Sequence, residues 1–291
     1  MTTWSRLIRF VDVENVTRFG QPILKDEDLT VDQLLDLGVL EANVIEGDVL
    51  SEEAIVTDKV VQVKHLLAPL EVAQVPIIKC IGLNYKAHIA EGGRSPPPFP
   101  SVFIKPSHSL ADAYEDLPIP PVAHDTLDYE VELAIIIGKT GKDIPVDQVG
   151  DYIAGFTASN DISNRKWQID PNFAGGAAQW CFSKGFDKFA PIGPAIVSTK
   201  ILGTRPCLDL KTKVNGELRQ DSNSADMLFH VPELVAFASQ GTTLEKGTVI
   251  LTGTPAGVAM GMKDPLYLKN GDLMEVSISQ IGKIANRIVF Q

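Results

Sequence analysis

The chain has 291 residues, enough for one large domain or for one domain with a smaller companion. Its hydrophobic share of 44% and charged share of 22% are those of a globular protein. A net charge of −11 disfavours phosphate backbones and anionic lipid surfaces, so neither nucleic acid nor membrane is expected as a partner.

Residues 4–11, "WSRLIRFV", read as a short strand, and "VTRFGQPIL" places a glycine, Gly20, in a hairpin. "TVDQLLDLGVL" reads as a short helix: Thr30 can cap it, Val31, Leu34 and Leu35 share one face, and Gly38 can end it. These elements make a small α+β unit over residues 1–72, with "LLAPLEVAQVP" (66–76) as the connection. From Ile77 the texture changes to short strands punctuated by Gly and Pro, a β-rich second domain over 73–291. The predicted fold class is therefore α+β, mostly β.

"GLNYKAHIAEGGRSPPPFP" opens the second domain. His88 and Glu91 are three apart and meet on one face if this stretch is helical. A carboxylate beside His fixes its tautomer and raises its basicity, as a general base requires. From spacing alone an exposed helical turn with an incidental pair is the commoner explanation, since such a pair adds little stability and needs no function. Gly92, Gly93 and the prolines 96–98 give the composition of a lid.

"LDYEVELAIIIG" (127–138) runs from acids into a strand apolar on both faces. Strand period two points Glu130 and Glu132 the same way, where they repel and where burial of either alone is costly. A cation would settle that repulsion, and an all-oxygen donor set suits a hard ion such as Mg2+ or Mn2+. A third acid is then needed. Asp161, at the end of the strand-like "YIAGFTASND", is the candidate, although an Asp there also serves as a helix cap.

Lys184 in "FSKGFDKFAPIGP" and Thr254 in "LTGTPAGV" are bland alone, a lysine before Gly and a threonine in a tight turn. "KVNGEL" holds Asn215-Gly216, a strong hairpin signal. "HVPELVAFASQG" reads as a helix bounded by Pro232 and Gly241, and residues 269–290 as a final strand pair. Cys80, Cys181 and Cys207 form no C-x-x-C pair, and each is expected to fill core in a reducing compartment. His65, His108, His124 and His230 have no partner at ligand spacing, and Trp167 and Phe186 are expected to pack near the site. No phosphate-binding glycine motif follows a strand, so nucleotide cofactors are not indicated. No run approaches the roughly 18 apolar residues of a membrane span. No secretory signal is apparent, and the expected location is the cytoplasm, the mitochondrial matrix not being excluded.

Together "GLNYKAHIAE", "DYEVELAIIIG", "ASNDISNRKWQ", "SKGFDKFAPIGP", "VNGELRQDSNSADMLF" and "ILTGTPAGV" resemble the ordered motifs of the fumarylacetoacetate hydrolase family. The resemblance spans residues 77 to about 288 and is specific in its order. It implies a β-roll of mixed sheets behind a small N-terminal domain, a homodimer, and Mg2+ or Mn2+ held by Glu130, Glu132 and Asp161. It implies His88 and Glu91 as the lid dyad, Lys184 facing the substrate enolate, and Gln168, Thr254 and, more loosely, Arg94 as substrate contacts. Lys166 stands where many members have Asp, which puts a local salt bridge in question.

The function implied is cleavage of a C–C bond in a small keto acid through a metal-bound pyruvate enolate, by hydrolysis of an acylpyruvate or decarboxylation of oxaloacetate. The first alternative is keto–enol tautomerisation of oxaloacetate, with His88 or Lys184 as acid and base. The second is a metal-binding scaffold without catalysis, which the presence of His88, Glu91 and Lys184 disfavours.

Overall fold

The structure, a computed structural model, describes residues 2–24 and 29–291. The first part of the chain contains β1 (Arg6–Asp12), β2 (Thr17–Pro22), α1 (Val31–Asp36), β3 (Glu41–Glu46) and β4 (Ile55–Leu66). There follow β5 (Ile78–Gly82), α2 (Lys86–Glu91), β6 (Ser101–Lys105), β7 (Leu110–Ala111), β8 (Leu117–Ile119), β9 (Leu127–Asp128) and β10 (Val131–Ile137). After these come β11 (Ile153–Asn160), β12 (Ser163–Asn164), α3 (Arg165–Ile169), α4 (Pro171–Ala174), α5 (Trp180–Lys184), β13 (Ala190–Ser198) and α6 (Thr199–Leu202). The chain closes with β14 (Asp209–Val214), β15 (Glu217–Asn223), α7 (Val231–Ala238), β16 (Val249–Leu251), β17 (Leu273–Ile278) and β18 (Gly282–Phe290).

Strands dominate and the helices are short, as the alternating patterns and frequent Gly/Pro breaks require. The main sheet runs β2-β3-β4-β1-β13-β11-β10-β16-β5-β6, and a second sheet runs β15-β14-β17-β18-β8. Most neighbours are antiparallel, but β16 pairs parallel with β5 and β18 with β8, so the sheets are mixed. Val131, Leu133, Ile135 and Ile137 of β10 face one core, which they share with Leu210, Val276 and Ile284 of the second sheet and with α7. Ala134 and Ile136 face the opposite core with Trp4, Leu7, Ile78 and Ile192. Both faces of β10 are therefore covered, which explains its unbroken apolar run.

Strand β1 joins the N-terminal segment to the rest. Arg6 and Leu7 pair with Val197 and Ile196 of β13, whereas Ile8 to Val11 pair with β2. The hairpin between β1 and β2 turns at Asn15, with φ of 63°, and not at the glycine expected to make it. Gly20 lies inside β2, where a Cβ would sit 2.8 Å from the Asn43 carbonyl oxygen and 2.9 Å from the Phe10 ring. The glycine thus answers close packing and not a turn. The cysteine expectation also needs correction. Cys80 is buried, but Cys181 and Cys207 are exposed, because the first lies on a two-sided strand and the others on surface segments. The expected helices at 31–36 and 231–238, the Asn215-Gly216 hairpin and the final strand pair are all present. No helix of the described residues is long and apolar enough to cross a membrane.

Candidate active site

The site grows from the register of two strands. Val131 pairs with Asn160 and Glu132 with Ser159, which sets Asp161 across from Glu130 just beyond the ladder. The Asp161 N–H donates to the Glu130 carbonyl (2.9 Å), and the Glu130 N–H donates to Asn160 Oδ1 (2.9 Å). Glu130, Glu132 and Asp161 each bring a carboxylate oxygen to within 4.8 Å of the others, and all three are buried. The alternative role for Asp161, capping the next helix, is taken by Asn164, whose Oδ1 accepts from the Trp167 N–H (3.1 Å).

Three cations surround these acids. Lys184, at the end of α5, donates from Nζ to Glu130 Oε2 (2.8 Å) and Asp161 Oδ2 (2.7 Å). Lys105 Nζ lies 2.6 Å from Asp161 Oδ1 and also donates to the Phe189 carbonyl. Arg165 bridges Glu130 Oε1 (2.6 Å) and Asp128 Oδ2 (2.8 Å), and its Nη1 donates to Gln168 Oε1 (2.9 Å). Lys105, Asp128 and Arg165 are fully or nearly fully buried, and none was singled out as a site residue from sequence. Arg165 did lie inside a quoted motif, and Asp128 directly before the Glu-x-Glu. Asp128 is a brace: its Oδ1 accepts from the Ala259 N–H (2.9 Å) and its Oδ2 from the Met260 N–H (3.0 Å), fixing the loop over the chamber.

Electrostatics divide the two glutamates. Burial raises both, but Lys184 and Arg165 overcome it at Glu130 and hold that carboxyl at about 2. Burial, then the charges of Asp161 and Glu130, push Glu132 well above the ordinary range. Among the described residues Glu132 has no ion-pair partner, and its one hydrogen bond comes from the Gly253 N–H (2.6 Å). Gly253 makes this approach at φ of +95°, where a side chain would be strained. Burial opposes the charge of Lys184, but Asp161 and Glu130 outweigh it and hold the ammonium above the usual lysine range. Three convergent carboxylates, one of them without a cation, fit a hard divalent ion in both donor chemistry and charge.

His88 and Glu91 meet on one short helix. His88 Nδ1 lies 2.7 Å from Glu91 Oε2 on α2, and Glu91 Oε1 accepts from the Gly257 N–H (2.9 Å). Burial works against ionisation of Glu91, but the contacts with His88 and Gly257 prevail and lower its pKa. The start of α2 is held from outside the helix, by Asp226 Oδ2 accepting from the Ala87 N–H (3.0 Å).

His88, Glu91, Arg94, Glu130, Glu132, Asp161, Gln168, Lys184 and Thr254 all line one chamber of about 290 Å³. Its apolar wall includes Ile81, Phe103, Ile169, Trp180 and Val258. Arg94 is exposed, and its guanidinium has no polar partner among the described residues. The Thr254 hydroxyl accepts from Gln220 Nε2 (2.8 Å), whose Oε1 in turn accepts from the Val131 N–H (3.0 Å). Lys166 turns outward to Asp125 Oδ2 (3.0 Å), so its departure from the motif leaves the chamber untouched. Trp167 packs on Phe173 and Phe182, and Phe186 on Phe182 and Phe189.

Known proteins resemble this chain in both sequence and structure. Residues 77–289 match the model of the fumarylacetoacetate (FAA) hydrolase C-terminal domain. The chain is 38% identical to a caffeoylpyruvate hydrolase of Neonothopanus nambi, covering 99% of this chain and 94% of that one. It is 40% identical to the mitochondrial oxaloacetate tautomerase Fahd2a of Rattus norvegicus, over 72% of this chain and 65% of the relative. Among solved structures, a 5-carboxymethyl-2-hydroxymuconate delta-isomerase from Mycobacterium smegmatis is 29% identical, with a TM-score of 0.78 over 98% of this chain and 100% of that chain. A fumarylacetoacetate hydrolase from Exiguobacterium antarcticum is 32% identical, with a TM-score of 0.72 over 98% of this chain and 99% of that one.

Proposed function

The chain belongs to the fumarylacetoacetate hydrolase family, and from that premise we propose that it is a Mg2+- or Mn2+-dependent enzyme that cleaves a C–C bond in acylpyruvates by hydrolysis. The observation that carries the reading is the convergence on one chamber of an acid triad, a buried ammonium and a His–Glu pair. Glu130, Glu132 and Asp161 would hold the ion. When bound, it supplies Lewis-acid polarisation of the keto acid's oxygens.

The chain's own residues divide the remaining work. Arg94, the chamber's cation without a protein partner among the described residues, receives the substrate carboxylate. Glu91 orients His88 through Nδ1, leaving Nε2 to take a proton from water as that water attacks the distal carbonyl. The C–C bond then breaks, the acyl carbon keeps the hydroxyl as a carboxylic acid, and the electron pair passes to the pyruvate fragment as an enolate. Lys184, held protonated by its two acids, offsets that developing charge. Protonation of the enolate carbon releases pyruvate. Gln168 and Thr254 contact the bound keto acid.

Identity of 40% to an oxaloacetate tautomerase supports a second reading on the same chamber, in which a proton moves between keto and enol oxaloacetate. Decarboxylation of oxaloacetate shares the enolate and needs no water. The homodimer typical of the family is part of the proposal. So is a reducing compartment, the cytoplasm or the mitochondrial matrix, which suits the three free cysteines.

One assay panel tests the reading. Acetylpyruvate, fumarylpyruvate and oxaloacetate are each assayed with Mg2+, Mn2+ or EDTA, following pyruvate, CO2 and enol absorbance separately. Metal-dependent pyruvate release from an acylpyruvate is expected. His88→Ala should lower its kcat by roughly 100-fold or more, the usual contribution of a general base, with metal affinity retained. Undiminished hydrolysis in that variant removes the base assignment, and change only in enol absorbance replaces hydrolysis with tautomerisation.

A further inference from the structure

The chamber does not end at its aromatic wall. Lys184 Nζ lies 5.3 Å from the centre of the Phe103 ring, and Phe103 meets Trp180 edge-on with centroids 5.3 Å apart. Beyond them lies a second, larger groove of about 640 Å³. Leu83, Phe103 and Trp180 line both spaces, so the groove adjoins the chamber across the indole. The groove is completed by Val102, Ala178 and Phe182 among others, and among the described residues none that lines it is Lys, Arg, Asp or Glu. Val102 and Phe182 are 43% and 47% exposed, large apolar side chains kept in the open.

Backbone geometry fixes the indole at this boundary. A Cβ at residue 82 would lie 2.0 Å from the Trp180 ring, so the Trp packs directly on the Gly82 backbone. Gly82 ends β5 next to the chamber, and Trp180 begins α5, the helix whose last residue is Lys184. Trp180 and Lys184 therefore stand at the two ends of one short helix.

We propose that this groove is the subsite for the substrate's acyl arm, and that Trp180 sorts arms by size and charge in favour of neutral, apolar or aromatic ones. The assignment rests on the acylpyruvate reading above. On that reading the pyruvate end lies at the acids, Lys184 and Arg94, which leaves the apolar side of the chamber, and the groove adjoining it at Phe103 and Trp180, for the other end. An aromatic arm entering there covers apolar surface and meets ring edges. An arm ending in a carboxylate covers less of that apolar surface and finds no cation among the described lining residues. Charge complementarity thus selects the occupant.

The experiment compares kcat/KM, with Mg2+ saturating, for acetylpyruvate, cinnamoylpyruvate and fumarylpyruvate. The last two differ in a phenyl or a carboxylate at the end of the same unsaturated arm. Wild type is expected to favour the phenyl arm over the carboxylate arm by tenfold or more, within the roughly 10–200-fold that an apolar pocket can discriminate. Trp180→Ala should shrink the cinnamoyl-to-acetyl ratio. Ala178→Lys, an exposed position on the groove alone, should raise the fumaryl-to-cinnamoyl ratio by a similar factor, a gain that misfolding cannot produce. Ratios unmoved in both variants, with acetylpyruvate still hydrolysed, overturn the subsite and leave the reaction standing. Loss of all acylpyruvate turnover in wild type sinks the underlying reading instead.

Discussion

Glu130 and Glu132 sit two residues apart on one strand end, yet their carboxyl groups are held in opposite senses. Glu130 is ionised by two cations, and its pKa of about 2 lies below the ordinary value of about 4.3 for an unfolded glutamate. Its contribution to stability is present above the unfolded value and is lost as pH falls through the folded one. Glu132 is raised by burial and then by its acidic neighbours. A raised carboxylate works the other way: metal-free stability declines as pH rises from about 4.3 toward the folded pKa. Glu132→Gln should therefore melt higher than wild type in EDTA at pH 7.5. Added Mg2+ should stabilise only the wild type, since only it binds the ion in the folded state. Thermal scans at two pH values, with and without metal, check both parts. A Mg2+-induced rise in the Gln variant equal to that of wild type would falsify the ligand assignment.

Helix α2 is a single element on which the proposed chemistry depends, and both its ends are tied by residues distant in sequence. Asp226 receives the Ala87 N–H at the start, and Gly257 donates to Glu91 at the end. A six-residue helix has little stability of its own, so these two contacts decide whether His88 stays over the chamber. Loss of a cap costs about 1 kcal/mol, equivalent to roughly fivefold in an equilibrium constant. Asp226→Ala should lower kcat/KM by about that factor, and Asp226→Asn, which keeps an acceptor, should restore most of it. Steady-state kinetics on the three proteins measure this. Equal losses in the Ala and Asn variants would show that the carboxylate charge, not the cap, matters.

On the scale of the whole chain, every chamber residue lies between Ile81 and Gly261. We propose that residues 1–72 form a small N-terminal domain and 73–291 the catalytic one, and that the second depends on the first for stability. Trp4, Leu7 and Leu70 are completely buried against Ile78, Ala134 and Ile196 of the catalytic part, and β1 extends its main sheet through β13. Removing residues 1–72 exposes that apolar face and leaves β13 an open edge, which invites aggregation. The 73–291 fragment should be insoluble, or should melt well below the full chain when both are followed by circular dichroism. A soluble fragment with an unchanged melting temperature would establish independent folding.

The sequence by itself determined the mostly β texture, the helices at 31–36 and 231–238, the pairing of His88 with Glu91, and the shared direction of Glu130 and Glu132. These follow from short-range periodicity, which the chain displays locally. The identity of the third acid was legible only as a candidate. Asp161 could equally have capped a helix until the β10–β11 register set it opposite Glu130. The buried counter-charges Lys105 and Arg165 and the groove behind Trp180 were not singled out, although Arg165 lay inside a motif. A lone lysine or arginine in a sequence is ordinarily a surface residue, and it becomes a buried counter-charge only where separate strands enclose it beside acids. The turn at Asn15 in place of Gly20 shows the same limit from the other side. A glycine signals either freedom of φ or lack of a side chain, and only the neighbours packed against it decide between them.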